Sequence, residues 1–163
     1  MEHDAPAIFV ALEQSAFATA IRQSLWLYPL ANIGHVVALV TFAGAVAVMD
    51  LRLMGALAAT EPGLVLRRAR SVAVAALAAL GVTGLMLFAA EASHVATNPV
   101  FLVKQALVLA ALANVALFEL LTRRTIAGLP AGTTMPRAAR IAGGLSLGLW
   151  IAVAACGRSI AYF

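Results

Sequence analysis

Two histidines hold most of the chemistry that this sequence offers. His35 lies in a stretch with no charged residue between Arg22 and Asp50, and His94 follows a second apolar stretch just after Glu91. An imidazole inside an apolar span is costly unless it binds something or meets a polar partner. Two neutral imidazoles on opposite faces of a porphyrin give a six-coordinate b-type haem, whose iron moves electrons and has no position free for oxygen. The basic residues Arg22, Lys104 and Arg158 fall toward the same predicted end of the molecule. Haem propionates are carboxylates, so Arg forks or a Lys ammonium near them would compensate their charge and anchor the ring. The pattern predicts a haem b site with His35 and His94 as ligands and Arg22, Lys104 and Arg158 around it.

The same residues permit other chemistry. Glu91 and His94 are three apart, the spacing at which one helix face offers a carboxylate and an imidazole to a single ion, and His35 as third ligand would make a zinc, iron or copper site. In the simplest case, His94 is an exposed loop histidine beside Glu91. Cys156 is the only cysteine, so neither an intrachain disulfide nor a cysteine-pair metal motif exists, and His3 stands among the first residues, away from the apolar stretches. Met49, Met54 and Met135 fall at the opposite end and Met86 inside a span, which counts against a soft-metal relay. Thr41, Thr83 and Ser146 can bond across the bundle or to their own preceding turns. No nucleophile and base pair, phosphate loop or pair of hydrolytic carboxylates is visible.

The elements that position these residues follow from composition. Of 163 residues, 63% are apolar and 11% charged, which is too little polar surface for a soluble globule to cover itself with. A spanning helix takes about 20 residues, so four helices and a polar leader nearly use up the chain and leave no second domain. The acidic start Met1, Glu2, His3, Asp4 predicts that no signal peptide is cleaved. From residue 7 to 25, Ile8, Phe9, Leu12, Ala16, Ala20 and Ile21 recur at helical spacing with Glu13, Gln14, Arg22 and Gln23 on other faces, which predicts an amphipathic helix in the membrane interface. Trp26 and Tyr28 supply rings at headgroup depth. The spans are expected at about 30–50, 71–92, 99–121 and 139–160, giving an all-α integral membrane four-helix bundle.

Arg52, Arg67, Arg68, Arg70, Arg123, Arg124, Arg137 and Arg140 flank one side of these spans, against Arg22, Lys104 and Arg158 on the other. The rule that cytoplasmic loops carry the Lys and Arg excess therefore predicts a multi-pass protein of a bacterial inner membrane with both termini periplasmic. This topology signal also accounts for the charge of +4, with no basic stripe or aromatic interleaving of the kind nucleic acid needs. Near the inner end, Asp50 should pair with a basic group of another helix or lie in the interface, Glu119 with Arg123 one turn on, and Asn114 across to a neighbouring helix. Gly144 and Gly148 form a GxxxG match that suggests close helix packing.

The segments WLYP, NIGHVVALVTFAGAV and DLRLMG between Trp26 and Gly55 resemble an uncharacterised family of small bacterial four-helix inner-membrane proteins. The likeness continues in GVTGLMLFAAEA, NPVFLVKQALVLAALAN and CGRSIAYF. It implies a shared fold with His35, Asp50, Arg52, Asn98, Lys104, Asn114 and Arg158 as matching polar positions, and no established activity. A more distant likeness, through Thr83, Gly84 and Lys104, is to the membrane domain of bacterial copper resistance proteins of the D type, which implies copper handling; the shortage of outer methionines departs from it. The resemblance also implies a histidine near the inner end of helix three, where this chain departs from it with Glu119 after Phe118; that departure counts against a haem or metal on the cytoplasmic side and leaves the outer pair His35 and His94 untouched. The leading expectation is a haem b protein for electron transfer near the outer face, alone or as a redox complex subunit. Copper or zinc handling and a non-catalytic accessory subunit are the alternatives, and the small-residue helix faces allow self-association or a partner membrane subunit.

Overall fold

The structure, a computed structural model, describes residues 5–162; His3 lies outside them. The described residues are mostly helical: α1 (Ala7–Glu13), α2 (Ala16–Gln23), α3 (Leu27–Met54), α4 (Pro62–Ala90), α5 (Ala92–Thr97), α6 (Pro99–Leu121), α7 (Arg123–Ile126) and α8 (Arg137–Ser159), closed by a 3-10 turn over Ile160–Tyr162. Four of these, α3, α4, α6 and α8, are long and apolar enough to cross a bilayer. Large apolar side chains such as Val40, Leu85, Leu109 and Ile151 stand exposed on them, which only a hydrocarbon solvent tolerates in such number.

Local chemistry sets the helix ends. Gly55 ends α3 at φ +107°, and its N–H and that of Ala56 bond back to the carbonyls of Arg52 and Leu51. A residue with a Cβ is strained in that left-handed conformation, so glycine fits the stop. Proline opens α4 and α6, where its missing N–H costs nothing. Asn98 caps α6 by accepting the N–H groups of Val100 at 2.9 Å and Phe101 at 3.3 Å, and its amide reaches the Ile160 carbonyl at 3.4 Å.

Several ends differ from those the sequence suggests. The second span begins at Pro62 instead of 71, because Arg67, Arg68 and Arg70 ride on the helix with their long stems, a position in which arginine heads can still reach water. It stops at Ala90, and α5, carrying His94, is a separate short helix. The interfacial helix is two helices, broken at Gln14 and Ser15, where the Ser15 hydroxyl accepts the Ala18 N–H at 3.2 Å and starts α2 anew. Ala18 and Ile21 bury the inner face of α2, while Leu25 and Trp26 remain exposed beside it.

The spanning helices form an arc. α4 packs on α3, α3 on α8, and α8 on α6, while α1 rests on α5 and α2 on α4 and α3. α4 and α6 are thus the two free edges. They meet near their ends, where the Phe88 ring stacks on Phe101 at 5.3 Å and Arg70 forms an ion pair with Glu119. The arc is held by small residues, though not by the GxxxG pair: a Cβ on Gly144 or Gly148 would meet nothing within 4 Å. Gly143 makes the close approach instead, since a Cβ there would come within 2.9 Å of the Asp50 carbonyl on α3.

Candidate functional site in the bundle interior

His35 and Lys104 belong to one polar layer inside the arc. His35 repeats at seven-residue spacing with Phe42 and Met49 along the concave face of α3, and Lys104 in the same way with Ala111 and Phe118 on α6. The imidazole is half-buried, and its Nδ1 lies 2.9 Å from the Thr83 hydroxyl of α4. That hydroxyl has a single proton and donates it to the Ala79 carbonyl at 2.7 Å. The hydrogen-bond network therefore assigns the ring proton to Nδ1, donating to Thr83, and leaves the Nε2 lone pair unprotonated. Gly84 makes room for the ring: a Cβ there would fall 3.2 Å from His35 Cε1. Lys104 is half-buried with no side-chain hydrogen bond among the described residues, its Nζ close over Gly157 of α8 and its charge within reach of His35.

The other residues singled out from the sequence are elsewhere and otherwise engaged. Arg22 donates to the Ala90 carbonyl at 2.8 Å, capping the end of α4, and to the Glu13 carbonyl at 2.7 Å. Arg158 bonds the Tyr162 hydroxyl and lies over that ring, 4.7 Å from its centre. Glu91 accepts from the Tyr28 hydroxyl at 3.2 Å, and His94 is exposed on α5. Among the described residues no three His, Cys, Asp or Glu side chains stand together as a metal set, so His35, His94 and Glu91 are not gathered around one point. At this end Glu13 takes the Ser93 N–H at 2.8 Å and the Ser93 hydroxyl. Those two bonds, with smaller help from the Arg22 and His94 charges, hold the Glu13 carboxyl below its ordinary range against a modest desolvation cost.

Toward the arginine-rich end the concave face opens into a cavity of about 540 Å³ between α3, α4, α6 and α8. Asp50 lines it, only 4% exposed, with buried Ser146 of α8 among the other lining residues. Its Oδ2 has no partner among the described residues. A buried carboxylate oxygen left unsatisfied costs on the order of 1–3 kcal/mol or more. Among the described residues Asp50 forms no ion pair with another helix, the first of the two placements expected for it; the face it occupies is closely approached by the small residue Gly143. Arg52 faces away, fully buried, with Nη2 at 3.0 Å from the Thr60 carbonyl, and ties down the turn after α3. Asn114 does bond across helices, to the Ala142 carbonyl at 3.0 Å, and Glu119 does take Arg123 at 3.3 Å.

Residues 17–163 match a family described as "Family of unknown function (DUF6644)". The chain belongs to that family. No curated protein and no solved structure matches this chain. The family match takes in the His35 layer and the Asp50 cavity and begins within α2, so the Glu13 contact on α1 stands outside it.

His35, Lys104, Asp50, Thr83 and Gly84 all stand out in the sequence, but the pairing of Thr83 and Gly84 with His35 does not. Thr83 and Gly84 are set beside His35 by the crossing of α3 and α4, 48 residues apart in sequence for Thr83. The sequence marks Thr83-Gly84 as a polar and small pair inside an otherwise apolar span, without saying which helix it meets. Arg70 was read only as a topology charge, yet it bridges the free edges of the arc to Glu119.

Proposed function

We propose that this chain is a membrane haem b protein that carries electrons, with His35 as an axial ligand. The observation that supports this most is the Thr83 hydrogen bond, which fixes the tautomer whose Nε2 lone pair is free for iron. An outer hydrogen bond of this kind orients the ring and raises its basicity. Lys104 shares the layer and suits the propionate role, its ammonium being half-buried and without another partner among the described residues. Arg22 and Arg158 suit it less, being committed to the Ala90 carbonyl and to Tyr162. When bound, the haem supplies a one-electron couple; the chain's residues orient the imidazole, compensate propionate charge and exclude water.

In this reading the protein sits in a bacterial inner membrane with the His35 layer toward the periplasmic side. His94 is the weaker of the two ligands foreseen, because it is exposed on α5. Purified protein expressed with ample haem should carry near-stoichiometric haem in a pyridine haemochrome assay. His35→Ala should lose the chromophore at unchanged folded yield, whereas His94→Ala should keep it. Folded parent protein without haem rejects the reading, and stoichiometric copper or zinc in its place moves the assignment to metal handling.

A further inference from the structure

We infer that the cavity at the arginine-rich end is a binding site for a lipid-soluble aromatic hydroxyl compound, of which a quinol is the kind that membranes commonly hold, with the hydroxyl donating to the Asp50 carboxylate. The site is distinct from the His35 layer. Along α3, Asp50 lies about 22 Å from His35 at the helical rise per residue.

Three observations specify the ligand. The first is the carboxyl of Asp50, a residue that lines a cavity of about 540 Å³ and whose Oδ2 is buried without a partner. A carboxylate in that position calls for a hydrogen-bond donor. The second is the sign of the surrounding charge. Arg67, Arg70 and Arg123 line the cavity against Asp50 and Glu119, and Glu119 is already spent on Arg70 and Arg123. A cationic amine gains little in such a field, so the donor is better carried by a neutral hydroxyl. The third is the remainder of the wall, which is apolar and aromatic. Phe42, Phe118 and Trp150 line it, with the Phe42 and Trp150 rings edge to face at 4.6 Å, the kind of surface that receives a flat ring.

Access follows from the arc. α4 and α6 are its free edges and do not pack along their lengths, so a molecule dissolved in the bilayer can enter between them without crossing water.

The chain has two tryptophans, and Trp26 is exposed at the α2–α3 junction, so Trp26→Phe leaves Trp150 as a reporter inside the cavity. Detergent-solubilised protein of this kind is titrated with a short-chain ubiquinol carrying one isoprenyl unit. Saturable quenching of Trp150 is expected, and a Trp150→Phe control that retains Trp26 should show none beyond micelle partition. The dimethyl ether of the same quinol, which has the ring but no donor, should bind at least about tenfold more weakly, and Asp50→Asn should weaken the quinol to a similar degree. A 4-alkylphenol that binds as tightly as the quinol assigns the site to phenols in general, while preference for the quinol assigns it to quinols. Equal affinity for quinol and dimethyl ether in the native protein, or tighter binding of dodecylamine, overturns the inference whether or not the Asp50 variant folds. None of these readings requires haem, so failure here leaves the His35 proposal standing, and absence of haem leaves this one standing.

Discussion

The imidazole of His35 is oriented by a neighbour. Its position inside a charge-free span was legible in the sequence, since polar groups are rare there and conspicuous. Its tautomer was not legible, because that depends on which face of α4 meets α3, and the apolar residues of both helices would allow several crossings. Thr83→Val keeps the shape of the side chain and removes the oxygen that receives Nδ1–H. The ring is then free to rotate or to place its proton on Nε2, and haem retention should fall by roughly 10- to 100-fold, the usual cost of losing an outer-shell partner. Thr83→Ser should restore it. Competition for haem with apo-myoglobin measures both. Equal retention in Thr83→Val and the parent would remove Thr83 from the site.

At the scale of the element, hydropathy located the spans and misjudged their ends. Arginine was read as a terminator before Ser71, yet a guanidinium on a long stem can stay on a helix that continues toward the interface, as α4 does. The leader was legible as amphipathic but not as two pieces, because the Ser15 cap resembles any serine in a helical pattern until its partner is seen. What α1 does with its free end is carried by Glu13 and the two Ser93 bonds. The carboxyl is held below its ordinary value, so the contact contributes fully above the ordinary carboxylate range near 4.5 and is lost as pH falls through the lower folded value. Much of Glu13 meets solvent, which screens the effect, and a loosening of one short helix is the outcome, with the bundle intact. Spin labels on α1 and α5 should report a fixed distance at neutral pH that broadens in acid. In Glu13→Gln the distribution should already be broad at neutral pH and should not change with pH; a sharp, pH-independent distance in both proteins removes the latch.

For the whole molecule, the order of the helices in space was the least legible feature. α4, α5 and α6 follow one another in sequence, yet α6 lies against α8 and the arc stays open between α4 and α6. Connectivity supplies short links and says little about which apolar faces pair when all faces are apolar. Orientation is different, for it is read from charge. The up-and-down course brings Arg52, Arg67, Arg68, Arg70, Arg123, Arg124, Arg137 and Arg140 to the ends of α3, α4, α6 with α7, and α8 that share one side of the bundle. Only Arg22, Lys104 and Arg158 belong to the other half. Moving the first group across a membrane during insertion costs far more than moving the second, which predicts that the arginine-rich end is cytoplasmic. In a Cys156→Ser background, a cysteine at His94 should react with a membrane-impermeant maleimide in intact spheroplasts, and one at Thr133 should react only after the membrane is opened. The reverse pattern would invert the protein, place the Asp50 cavity in the periplasmic half and bring the His35 layer to the cytoplasmic half, so the same labelling also fixes which compartment each site faces.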